Sequence, residues 1–502
     1  MINKLMKLLV FLGLLSGYAQ AQPEYKPLTV EYERNGWKVA TGVRVIDSMN
    51  YYQPITPEEY YGTYNVDKWG ARKDITSQTG ATGFFRVEEI NGRWYFISPD
   101  GTPLIIKGTQ YMQPITPSTM GSRMTAAYQN RFNSNPVLWA KETSQLMIDN
   151  NFNCLSIWST SPINWPSEIN QTMKRPKCNN YIAQVESINV LQQFFYKAQM
   201  PSNTFNKFIL LYDDGFLESA ESWVDQHTAR FKNDPHFVGY YLDNELPFYT
   251  APGSWGYGNK SLTINIEDFL DLQDDLPAGT TDKFKSARIN ARSAAEQFLT
   301  ERGKTRATIT DDDRFAFIDM IAEKYYSIAA GLVKQYDPDH LVLGSRLHHD
   351  SKFLPGVVAA CARYSDVISI NYYNMWEPDL SYMSNLKTWT SNKPIIITEF
   401  YTKGVDAGLP DLTGAGWKVR TQLDRGRFYQ NFCMLMLEAK NCAGWTHFSY
   451  TDFRELNSAG DDVTANRGIV NQDFEPYTDM LRMMGQFNKN VYKLIDYIDN
   501  RP

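Results

Sequence analysis

Two stretches of the chain place carboxylates where carboxylates are costly. Asp243-Asn244-Glu245 closes the apolar run FVGYYLD, and Thr398-Glu399-Phe400 closes the run PIIITEF. A charge at the end of a buried run loses its hydration, so it needs a partner or a task. Glycosidic cleavage is a task for a pair of them: one carboxyl protonates the leaving oxygen while the second attacks the anomeric carbon or activates water. A lone glutamate of this kind is an ordinary rim salt bridge. Two at run ends in matching register, one preceded by Asn, favour the chemical reading.

The elements that must hold these residues follow from the apolar text around them. Eight runs stand out: Pro103 to Gly108, Phe152 to Trp158, Lys207 to Tyr212, Phe237 to Asp243, His340 to Arg346, Asp366 to Tyr372, Pro394 to Phe400 and Ala443 to Tyr450. They are continuously apolar rather than alternating, as parallel strands covered on both faces are. Helical text separates them, for example Pro136 to Asn150 behind a possible Ser134-Asn135 cap, and Phe216 to Lys232. Eight such units in series predict an α/β fold, the (β/α)8 TIM barrel, with its site at the C-terminal ends of the strands. Glu245 and Glu399 then end strands four and seven, on opposing parts of the rim. From there they can converge at the ~5 Å separation that selects a retaining double displacement.

The remaining text fits around that barrel. FFRVEEI, Asn91-Gly92, RWYFIS, Pro99-Asp100-Gly101 and PLIIKG predict a hairpin feeding the first strand. The connection after strand four, residues 246–339, is long. It holds a Gly/Pro/Tyr-rich stretch from Thr250 to Lys260, a helix from about Asp282 to Glu301, and an amphipathic helix from Arg314 to Tyr336 with Ile318, Ile321, Tyr325, Ile328 and Leu332 on one face. Asp311-Asp312-Asp313 is assigned to the capping of that helix rather than to calcium. Residues 22–80 hold too little apolar text for a domain and are assigned to a short N-terminal β extension, with the barrel over 81–502.

Lys4 and Lys7, the apolar run Leu8 to Leu15 and Ala19-Gln20-Ala21 form a secretory signal pattern, so residues 1–21 are expected to be removed and the product to be periplasmic or secreted. Removal changes the formal charge from 50 minus 56, −6, to 48 minus 56, −8. No cysteine follows the cleavage site to take a lipid, and no later stretch reaches the ~18 apolar residues of a membrane span. Composition is globular, at 502 residues, 43% hydrophobic and 21% charged. Without a basic stripe, no nucleic-acid partner is expected. Five cysteines, Cys154, Cys178, Cys361, Cys433 and Cys442, are too sparse for a disulfide framework and form no CxxC. With six scattered histidines, of which only His348-His349-Asp350 looks metal-like, no metal and no cofactor are expected.

Asn-Glu after strand four, Glu after strand seven and Trp445 on strand eight resemble the large clan of retaining (β/α)8 glycoside hydrolases that includes β-galactosidases, cellulases and mannanases. GYYLDNELPF, DPDHLVLGSRL and TGFFRVEEINGRWYFISPDGTPLIIKG are similar to β-agarases of glycoside hydrolase family 50, over most of residues 80–500. The resemblance implies Glu245 as acid/base, Glu399 as nucleophile, Asn244 as ligand of the sugar 2-hydroxyl, and Tyr372 as a candidate to hold the Glu399 carboxylate. It also implies a poly- or oligosaccharide partner, an agarose-type β-galactan first. The rivals are the same two glutamates acting on mannan, glucan or a β-galactoside, and a non-catalytic glycan-binding barrel. Two departures stand out: only a remnant is left for the family's N-terminal sandwich, and no arginine ends strand two, which leaves Arg346 on strand five as the arginine open to that place beside the nucleophile. Aromatics form 14% of the chain, and Trp158, Trp376 and Trp445, at or past strand ends, are candidate platforms for sugar rings, with Trp255 a weaker one. Arg346 and His348 are candidates for hydroxyls or a sulfate.

Overall fold

The computed structural model describes residues 28–46, 65–113, 122–159, 183–197, 207–249, 264–275 and 284–500. The signal pattern, the 250–260 stretch, Cys178 and Trp255 lie outside the described residues. Two strands, β1 (Leu28–Glu33) and β2 (Trp37–Val43), come first, followed by the meander β3 (Arg86–Ile90), β4 (Arg93–Ile97) and β5 (Pro103–Leu104). Eight strands then form one parallel sheet: β6 (Ile106–Thr109), β7 (Cys154–Leu155), β8 (Ala183–Ser187), β9 (Phe237–Tyr241), β10 (Leu341–Val342), β11 (Ile368–Asn371), β12 (Ile395–Glu399) and β15 (Cys442–His447). Their order is β10-β9-β8-β7-β6-β15-β12-β11. The two ends meet through a parallel Leu347–Ile370 bridge, with Leu347 N–H donating to Ser369 O and Asn371 N–H to Leu347 O, each at 2.9 Å. The α/β barrel expected from the run count is therefore the architecture.

One of the eight strands is not where the apolar text put it. Lys207 to Tyr212, expected as strand three, is a 3-10 turn whose Phe208, Ile209, Leu210 and Leu211 are all buried. Strand three is β8, AQVES, which pairs with β7 and β9. A short continuous apolar run is equally at home in a buried helical turn, and periodicity cannot separate the two. The polar letters of β8 hid it, because Gln184, Glu186 and Ser187 look solvent-facing in sequence.

Side-chain alternation divides the core. Ile106, Cys154, Ala183, Val185, Val238, Tyr241, Leu341, Ile396 and Ala443 point into the barrel, where Phe85, Phe96 and Leu104 of the meander close its N-terminal end. Tyr240, Ile395, Ile397 and Trp445 point outward against the helices. At β9 the packing is tight enough to demand glycine, since a Cβ on Gly239 would lie 2.1 Å from Leu341 O. Outer helices include α1 (Pro136–Asp149), α2 (Val190–Lys197), α3 (Phe216–Thr228), α4 (Asp311–Tyr336), α5 (Gln422–Glu438) and α6 (Thr478–Asp499). Asn135 caps α1 by accepting from Val137 N and Leu138 N, with Pro136 at the first helical position. Helix α4 starts in a reciprocal capping box between Thr310 and Asp313 and buries Ile318, Ile321, Tyr325 and Leu332.

Strands β1 and β2 join β13 (Thr402–Gly404) and β14 (Trp417–Val419) in a second sheet, ordered β13-β14-β1-β2. That sheet covers one of the expected platforms. Tyr32 of β1 lies stacked between Trp376 (5.2 Å, 17°) and Trp417 (5.1 Å, 9°). Among the described residues, no helix is long and apolar enough to cross a membrane.

Candidate active site

Four barrel strands end in the same unusual way. Tyr111, Trp158, Glu245 and Arg346, just past β6, β7, β9 and β10, have φ of 57°, 58°, 51° and 54°. Non-glycine residues in this left-handed region each cost about 1–3 kcal/mol, and such strain collects where side chains must be aimed. Here the turn at each strand end swings the side chain over the barrel mouth.

Arg346 is the hub. It is fully buried, and its Nε donates to Asn244 Oδ1 at 2.7 Å while Nη2 donates to Gln110 Oε1 at 3.0 Å and to Glu399 Oε1. Its guanidinium carbon stands 5.1 Å from the Trp158 ring centroid and 5.3 Å from that of Tyr241. Asn244 is thereby oriented: with its carbonyl held by a permanent cation, its Nδ2 is left to donate. The second oxygen of Glu399 accepts the Tyr373 hydroxyl at 2.6 Å. Glu245 Oε1 accepts Asn371 Nδ2–H at 2.7 Å, and Asn371 Oδ1 accepts the Thr398 hydroxyl at 2.6 Å, which fixes the amide's orientation.

Electrostatics separates the two glutamates. Burial pushes Glu399 up to about 7, against the pull of the Arg346 charge, and the neighbouring Glu245 pushes in the same direction as burial. Glu245 is raised too, by burial first, against the Asn371 hydrogen bond and the charges of Arg346 and Lys352. Both carboxyls are therefore drawn toward their neutral forms, and the donors around them oppose this unequally. Glu399 receives a charged N–H and an O–H, both of which favour carboxylate, whereas Glu245 receives one neutral amide and is 21% exposed at its side chain. Glu399 is the better supported carboxylate of the two.

His348 lies beside this pair, its Nε2 3.8 Å from Glu245 Oε1 and its Nδ1 3.2 Å from the Asn371 carbonyl. Burial lowers it to about 3, so the ring is neutral. Trp158 packs against Tyr111 (4.8 Å) and, with Asn244 and Glu245, lines a cavity of about 240 Å³.

Three expected residues are elsewhere. Tyr372 points outward, accepting Asp379 N–H at 2.9 Å and packing on Tyr382 and Phe432. Tyr373, the next residue, reaches Glu399, because a one-residue step at a strand end changes the face. Trp445 is also on the outer face, fully buried, with Nε1–H donating to Tyr429 Oη at 2.8 Å. Phe448, three residues on, faces the cleft beside Tyr111 and Tyr401. Trp376, under Tyr32, offers no ring face to a sugar. Gln110, Tyr111, Asn371 and Tyr373 were missed by the sequence reading. Each lies at or within two residues of a strand's C-terminal end, so extending the inspection of run ends by three residues would have found them.

Among the described residues, no group of three or more His, Cys, Asp or Glu is placed to hold a metal ion. Cys154, Cys361, Cys433 and Cys442 are buried free thiols.

No family model matches the chain. In sequence it is similar to β-agarase B of Vibrio sp. (strain JT0107), 25% identical over 303 residues, and to β-agarase A of the same strain, 31% identical over 310 residues. Each match takes in 56% of this chain, which spans 30% of the length of either relative. In structure it is similar to BpGH50, with TM-score 0.76 and 29% identity over 97% of this chain and 99% of that one. The structure of an exo-β-agarase, at TM-score 0.64 and 19% identity over 86% of this chain and 67% of that one, shares the fold.

Proposed function

From a chain that is β-agarase-like in sequence and similar to a GH50 structure along its whole length, we propose a retaining glycoside hydrolase that cleaves a β-linked galactan of the agarose type or its oligosaccharides. One observation carries this reading: a buried arginine joins Asn244 to Glu399, while Glu245, held by Asn371, faces the same mouth.

In the first half-reaction, Glu399 Oε attacks the anomeric carbon as the glycosidic C–O bond breaks, and Glu245 gives its proton to the departing oxygen. A glycosyl ester on Glu399 results. In the second, Glu245, now carboxylate, takes a proton from water, whose oxygen displaces Glu399 from the anomeric carbon. Asn244 Nδ2 donates to the sugar 2-hydroxyl, a bond that strengthens as the ring gains oxocarbenium character. Arg346 and Tyr373 keep Glu399 ionised and aimed. Trp158 supplies a ring face for a sugar. Chemistry of this kind requires no cofactor. We assign residues 1–21 to a removed leader, 22–80 to an extension and 81–502 to the catalytic barrel with residues 246–339 inserted, and place the enzyme in the periplasm or outside the cell.

The test is a product profile of the protein against neoagaro-oligosaccharides, porphyran oligosaccharides, mannohexaose, cellohexaose and lactose, with Glu399→Gln as the blank. Release of short neoagaro-products by wild type alone supports the reading. Cleavage of another sugar only removes the galactan assignment, and equal turnover by Glu399→Gln removes the mechanism.

A further inference from the structure

The two residues expected from sequence to meet an anion are both committed elsewhere. Arg346 spends its charge on Glu399, and His348 is neutral beside Glu245. A different cation stands over the mouth. The cavity of about 240 Å³ beside Glu245 is lined by Trp158, Asn189, Gln192, Lys207, Asn244, Glu245 and Pro247. Its size is below the ~300–1,000 Å³ of sites for larger ligands and suits a single sugar ring.

Lys207 is the one cation among those lining residues. It opens the 3-10 turn Lys207–Tyr212, the run that apolar text disguised as a strand, and it is half-buried. Among the described residues, no carboxylate forms an ion pair with its ammonium. Asp243, whose charge acts on it, makes its own contacts elsewhere: its oxygens accept from Leu191 N and Gln192 N at 2.9 Å and from the Tyr325 hydroxyl at 2.7 Å, so it serves as the anchor of α2. A half-buried ammonium that makes no ion pair among the described residues is only partly compensated, and a ligand anion would complete its surroundings. Burial lowers the Lys207 pKa, in agreement with that picture. Neighbouring donors add to the site. Asn189 Oδ1 accepts the Ser187 hydroxyl at 2.7 Å, which turns its Nδ2 to the donor role.

Glu245, Pro247 and Asn244 wall the cavity, and Glu399 does not line it. It therefore lies beside the acid rather than beside the nucleophile. Resting on the proposed glycosidase reading, we infer that Lys207 and Asn189 form a subsite for an anionic substituent, a sulfate ester or a carboxylate, on a sugar bound beside Glu245.

Two measurements test this. First, galactose 6-sulfate, galacturonate and galactose are titrated into the Glu399→Gln protein, and into the same protein carrying Lys207→Met or Lys207→Arg. The charge-assisted contact should make an anionic sugar bind about ten- to a hundredfold more tightly than galactose, with Lys207→Met removing that preference and Lys207→Arg keeping it. The sulfate and carboxylate arms identify which anion the site takes. Equal binding of all three sugars, or a preference that survives Lys207→Met, overturns the inference. Should Lys207→Met fail to fold, a salt titration replaces it: the preference for the anionic sugar should shrink as NaCl rises, and a salt-independent preference overturns the inference. Because binding is read without turnover, failure here is separate from failure of the glycosidase reading, which is decided by whether wild type cleaves any galactan.

Discussion

Replacing Arg346 by methionine keeps the length of the side chain and removes the charge that Glu399, Asn244 and Gln110 share. The carboxylate of Glu399, 5% exposed, would keep only the Tyr373 hydroxyl. Leaving a buried ion without its partner costs about 3–5 kcal/mol. Glu399 avoids most of that cost by holding its proton, and at about 1.4 kcal/mol per pH unit its pKa would rise from about 7 by about 2–3 units. At pH 7 the ionised fraction then falls about 10²–10³-fold. The assay is kcat/KM for a neoagaro-oligosaccharide from pH 5 to 10: the acidic limb should move upward, and because Glu245 must still carry its proton, activity should stay low at the top of the range. Thermal unfolding over the same range gives a second reading. Glu399 has a folded pKa above the usual carboxylate range, so the stability tied to its proton is full below that range and is lost as pH rises through about 7. In Arg346→Met the loss continues to the higher pKa, and the gap to wild type should widen above pH 7 by about 1.4 kcal/mol per unit until that pKa is passed. An acidic limb that does not move, with a stability gap independent of pH, would refute the role given to Arg346.

Glu245→Ala should slow substrates with poor leaving groups far more than activated aryl glycosides, and equal losses on the two would argue against its acid role. Tyr373→Phe removes a hydrogen bond to a charged oxygen worth about 1.5–3 kcal/mol, so kcat/KM should drop about ten- to a hundredfold, whereas Tyr372→Phe should change kcat/KM less than twofold and lower the denaturation midpoint slightly. The reverse ranking would mean that the strand-end register is misassigned. Trp445→Ala should cost about 3–5 kcal/mol of stability in denaturant unfolding, as deletions of large buried side chains do, while Trp158→Ala should raise KM several-fold with a smaller loss of stability. A Trp445 variant of wild-type stability would contradict its burial behind the barrel.

The reach of the sequence can be judged strand by strand. Continuous apolar runs ending in Asn244-Glu245 and Thr398-Glu399 announced both the barrel and its two candidate carboxyls, because a parallel strand buried on both faces has a signature that needs no partner to be read. The helix start at Asn135 was equally local, since a cap depends on the residues next to it, whereas the helix expected from Arg314 begins three residues earlier, at Asp311 behind the Thr310 cap. Strand three was not legible. AQVES becomes a strand only because β7 and β9 offer it backbone partners, and KFILLY loses the place because its four apolar side chains pack as a turn.

What surrounds the glutamates was decided by tertiary structure alone. Whether Tyr372 or Tyr373, Trp445 or Phe448 faces the cleft depends on the residue at which each strand ends and turns, and one position reverses the answer. Arg346 and Glu399 are 53 positions apart, and Gln110 and Arg346 are 236 apart. No local pattern records such pairs, which exist because closing the ring between β10 and β11 brings the strand ends to one mouth. Residue type and strand position, both local, marked which groups could act; the charge each one keeps depends on burial and on partners delivered from distant parts of the chain.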